Sequence, residues 1–110
     1  MAVRLDELRR FALALPATSE EPHQHFGSWR VRGRIFVTVP PEGAHLHVFV
    51  AELEREQALA IHPEFTEKLF WGGKVVGLRV ALASAPAAAV KRLIGQAWTH
   101  KAPKALRKLP

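Results

Sequence analysis

Four of the six histidines, paired as His23-x-His25 and His45-x-His47, are the side chains best suited to holding a metal in this sequence. In an extended segment each pair projects to one side, about 7 Å apart. A zinc or copper site needs both pairs to converge with outer acceptors, and only Glu20, Glu21 and Glu42 lie near them in sequence. The spacing therefore reads as histidines on the solvated side of a sheet, and no metal is expected. Acid–base catalysis finds no footing either, because the carboxylates fall at helix starts and in loops. Ser19, Ser28 and Ser84 lack a nucleophile elbow. Gly72-Gly73-Lys74 lacks the upstream glycine and following Ser/Thr of a phosphate loop. A non-catalytic protein without a cofactor is the expectation.

Cations are the more informative chemistry. Residues 1–67 hold all ten acids against seven Lys/Arg, whereas residues 68–110 hold nine Lys/Arg and no acid. A stretch of one sign repels itself unless a polyanion approaches, and a basic domain with pI near 10.5 has the footprint of a nucleic-acid binder. Arg30, Arg32 and Arg34 flank a turn at Arg32-Gly33, where guanidiniums at a hairpin tip can grip phosphates. The other reading of that triplet is an edge guarded by charge against strand pairing. With Lys74, Arg79, Lys91, Arg92, Lys101, Lys104, Arg107 and Lys108 these form the candidate DNA-contacting set. Trp29, Trp71 and Trp98 can in principle stack on bases, but Trp98 falls on a helix core stripe and the other two read as anchors of the sheet.

The elements that must position these cations follow from periodicity. Leu5, Leu8, Phe11, Ala12 and Leu15 mark a helix over 3–15, ended by Pro16. Residues 17–25 read as a polar connection. From Phe26 to Val50 the pattern is β, divided at Arg32-Gly33 and at Pro40–Gly43 into a three-stranded meander. A short helix over 52–61 stops before Pro63. Residues 62–73 read as a loop anchored by Phe65, Phe70 and Trp71, and 75–82 as a fourth strand. Ser84 is placed to cap a long helix whose stripe is Val90, Leu93, Ile94, Ala97 and Trp98, broken at Pro103. The expected architecture is α+β in two layers, an antiparallel sheet of about four strands with helices on one face, in a single domain spanning 1–110.

Composition bounds the rest. Zero cysteines exclude disulfides, thiolate metal sites and a cysteine nucleophile. No apolar run reaches the roughly 18 residues of a membrane span, and the acids at Asp6 and Glu7 are unlike an export signal, so a cytoplasmic protein is expected.

Several segments together resemble the MmcQ/YjbR family of small bacterial proteins. They are Leu15-Pro16 with Thr18 and Glu20-Glu21, His25-Phe26-Gly27, Trp29 to Phe36, Trp71-Gly72-Gly73, Val76 to Val80, and Ala102-Pro103-Lys104. The resemblance implies a CyaY-like α+β fold and a double-wing contact with DNA through sheet hairpins. It brings no catalytic motif. The leading expectation is a DNA-binding protein that engages phosphates with little sequence readout. The alternative is a non-catalytic protein- or ligand-binding module using the sheet face and the aromatic loop around Trp71.

Overall fold

A computed structural model describes residues 3–107. The elements run α1 (Leu5–Leu13), β1 (Thr18–His23), β2 (Phe26–Val31), β3 (Arg34–Val39), β4 (His45–Val48), α2 (Glu52–Ile61), β5 (Thr66–Trp71), β6 (Lys74–Ala81), α3 (Ala87–Lys101) and α4 (Lys104–Arg107). The class is α+β with an antiparallel sheet, but the sheet has six strands in the order β1-β2-β3-β4-β6-β5, against about four expected. Both additional strands, β1 and β5, lie at the edges.

Each was hidden for a physical reason. β1 (Thr-Ser-Glu-Glu-Pro-His) is exposed over most of its length, so it carries no apolar alternation, and Pro22 is tolerated because an edge strand has an unpaired side. In β5 only Thr66 and Leu69 are buried, and a register shift between Leu69 and Phe70 breaks the two-residue period. Thr18–His23 within the expected connection and Thr66–Trp71 within the expected loop are thus strands.

The interior strands behave as their sequence requires. Trp29, Val37, Val48, Leu78, Leu46 and Val80 line one face in register and share a core with Leu8, Ala12, Ala58, Val90, Leu93, Ile94 and Ala97 of the helices. The residue between Val37 and Ile35 is extra, since Trp29 pairs with Val37 and Arg30 with Ile35. That bulge lets adjacent Phe36 and Val37 both enter the core. Thr66 ties β5 to α2 by donating its hydroxyl to the His62 carbonyl at 2.7 Å. Trp98 ties α3 to the end of α1 through Nε1 and the Pro16 carbonyl at 3.0 Å.

The long helix keeps its expected stripe buried, but it begins at Ala87 with Pro86 at the N-cap and no side-chain cap, so Ser84 does not perform that role. Gly77 marks a close approach: a Cβ there would collide with the Val48 carbonyl where β4 leaves the sheet.

The opposite face of the sheet is polar. Glu21, Ser28, Thr38, His47, Arg79 and Glu67 stand in one register row across all six strands. Among the described residues no helix is long and apolar enough to cross a membrane.

Candidate nucleic-acid interface

Alternation of strand direction decides where the turns fall. β3 begins where β4 ends and β6 begins, so the β2–β3 and β5–β6 turns project from the same end of the sheet. Both are two-residue turns with positive φ at each position, 51° and 82° at Arg32 and Gly33, 56° and 83° at Gly72 and Gly73. This conformation matches the right-handed twist of the flanking strands. Arg32, Arg34 and Lys74 are exposed at these tips.

The C-terminal end of α3 arrives at the same place. Burial and then the charge of Arg34 push the Lys101 ammonium below its ordinary range. The adjacent His100 is pushed down by burial, then by Lys101 and Arg34, with Arg107 adding a smaller effect and Glu54 opposing it. These residues repel one another, so the folded chain concentrates positive field here. Arg107 also donates Nε to the Ala102 carbonyl at 2.9 Å, which fixes α4 against the end of α3. A cleft of about 220 Å³ lies alongside, lined by Ala51, Glu54, Gln96, Thr99, His100 and Arg107.

The remaining candidates are placed elsewhere. Lys91 pairs with Glu7 at 2.8 Å and lies over the Phe11 ring, 5.8 Å from its centroid. Arg92 lines a separate cleft between α2 and α3. Arg30 turns onto the polar face, donating to Ser28 Oγ at 3.0 Å and to the Pro22 carbonyl at 3.3 Å. Arg79 is half-buried in the polar row, 3.2 Å from His45 Nδ1, and its Nε has no partner. Lys104 is exposed on α4, and Lys108 lies outside the described residues. The set chosen by charge therefore divides into an end cluster, Lys91 paired with Glu7, Arg92 in its own cleft, exposed Lys104 and two arginines on the polar face, with Lys108 outside the described residues.

His45 and His47 are held by local partners. His45 Nδ1 is 3.1 Å from Glu42 Oε2, and His47 Nδ1 is 3.3 Å from Thr38 Oγ1. Burial, then the Arg79 charge, pushes His47 toward its neutral form. Among the described residues no three His, Asp or Glu side chains gather as a metal site.

Two members of the end cluster were not read from the sequence. His100 belongs to it through its place beside Lys101, and its position in the last turn of a helix ending near a basic hairpin was the available signal. Trp71, read as a sheet anchor, is 48% exposed, and Phe70 is 57% exposed, whereas Phe65 is buried. Trp71 projects outward because it is the last residue of an edge strand.

A family model described as YjbR matches residues 13–100. Among solved structures, the crystal structure of a Deinococcus radiodurans protein with a DUF419 domain is similar, with a TM-score of 0.76 and 22% identity over 97% of this chain and 89% of that one. At that identity the likeness shows the fold. Among curated proteins, none matches the chain.

Proposed function

The chain belongs to the YjbR family, and from that premise we propose that it is a non-catalytic DNA-binding protein whose two sheet hairpins act as wings on the phosphate backbone. The observation that carries this reading is the convergence of Arg34 from the β2–β3 turn with His100, Lys101 and Arg107 from the C-terminal helices. Arg32 and Lys74 extend the cluster along the same end. None of its Lys or Arg side chains is ion-paired among the described residues, while Arg4, Arg9, Arg10, Arg55 and Lys91 all are. Asp6, Glu7, Glu20 and Glu56 are thus engaged by cations away from this end, and the cluster at the hairpin end has no such partner among the described residues.

Phosphate contacts position a protein on DNA without reading bases, so weak sequence preference follows. With about five phosphates engaged, affinity for duplex DNA falls roughly 10²–10³-fold between about 50 and 200 mM salt. Fluorescence anisotropy across that range tests the reading. The double variant Arg34→Glu, Lys101→Glu lowers affinity at least about tenfold and reduces the salt slope by about 2. Absence of duplex binding at low salt, or binding indifferent to salt, refutes it.

A second reading, a protein- or ligand-binding module, draws on the exposure of Phe70 and Trp71. It gains if the double variant keeps full affinity for a copurifying partner while nucleic acid does not bind.

A further inference from the structure

Of the three tryptophans, Trp29 and Trp98 are buried and only Trp71 presents its ring to solvent. Its indole is braced on one side by Phe49, with ring centroids 5.2 Å apart and an edge-on angle of 63°. Bracing of this kind fixes an aromatic plane without covering it. Trp71, Phe49, Ile35, His23 and Lys101 together line a hollow of about 170 Å³. Lys101 is the residue that also stands beside Arg34, so the aromatic wall and the cation cluster meet at one side chain. Lys74 is the register partner of Trp71, and the Gly72-Gly73 turn between them puts no side chain in the way.

We propose that this hollow is a stacking site for an unpaired base of single-stranded nucleic acid, with the neighbouring phosphates held by Lys101, Arg34 and Lys74. The inference rests on the nucleic-acid reading above and names the strand form that this end prefers. An indole face offers stacking and no hydrogen-bond pattern, so it suits any base whose face is free. In a duplex those faces are covered by neighbouring pairs, and a ring 48% exposed beside a hollow has nothing to stack on there. An apolar peptide would complement Trp71 but would leave the clustered cations without counter-charge. A flexible polyanion carrying flat rings complements both.

Anisotropy titrations with labelled oligothymidylate, oligouridylate and duplex DNA, each of about 15 nucleotides per strand, test this at low salt. The expected result is tighter binding of at least one single strand than of duplex, with quenching of tryptophan fluorescence; the two strands separate a deoxy from a ribo ligand. Trp71→Leu is expected to lower single-strand affinity roughly tenfold and remove most of the quenching, with duplex affinity unchanged, and Trp71→Phe to retain most of the affinity. Circular dichroism confirms that both variants fold. Single-strand affinity unaffected by Trp71→Leu, or equal affinity for duplex without quenching, overturns the inference while leaving phosphate binding intact. No binding of any of the three probes overturns both.

Discussion

Two charged neighbourhoods of this small protein are built on opposite rules. Near α1, Arg9 reaches across to Glu20 at 2.7 Å, and the same carboxylate accepts the Trp29 indole N–H at 3.1 Å. The Arg9 guanidinium holds the Glu20 carboxyl below its ordinary value of 4.5, even against partial burial. At the hairpin end, burial and then the like charge of nearby Arg34 hold Lys101 less basic than a free lysine. The first arrangement lowers the energy of the folded chain by itself. The second raises it unless an anion arrives. The two neighbourhoods thus differ in whether the charge already has a partner within the fold.

Substitution can break this contrast in opposite directions. The largest effect is expected for Glu20→Gln, which removes the charged acceptor of Arg9 and weakens that of Trp29. It should cost about 1 kcal/mol in chemical denaturation at neutral pH, with duplex affinity unchanged. Because the folded-state pKa of Glu20 is depressed, its contribution is complete above 4.5 and is lost as pH falls through the lower folded value. The stability difference between wild type and Glu20→Gln should shrink over that acid window; a constant difference would show that packing, not charge, is being measured.

Lys91→Ala comes next. Losing the Glu7 pair and the contact with Phe11 is expected to cost about 0.5 kcal/mol, again without weakening DNA binding. A loss of affinity comparable to that of the Arg34 variants would return Lys91 to the interface. The smallest effect has the opposite sign. Arg34→Gln is expected to stabilise the free protein by a few tenths of a kcal/mol while weakening binding, and the Lys101 pKa, followed by NMR titration, should rise. Destabilisation with an unmoved Lys101 would remove the like-charge argument.

The interior of the fold was legible in the sequence because burial imposes a period. The stripe Val90, Leu93, Ile94, Ala97 and Trp98 is buried as its spacing requires, and the turn at Arg32-Gly33 falls where the β pattern is interrupted. The two edge strands were not legible. An edge strand with one unpaired side and few buried residues has no apolar alternation to display, and the bulge in β5 shifts even the residues that are buried. The same lack of burial made Trp71 look like an anchor, since an aromatic residue in sequence carries no sign of which way an edge strand ends.

By itself the sequence determined the α+β class, the buried stripes, the tight turns and the excess of cations after Glu67, all of which depend on composition or on contacts between near neighbours. Only the tertiary structure decided which cations remain unpaired and which come together. Arg34 and Lys101 are far apart along the chain, and their meeting depends on strand order and on the path of α3. Electrostatic energy depends on distance in space, and no local pattern encodes that distance.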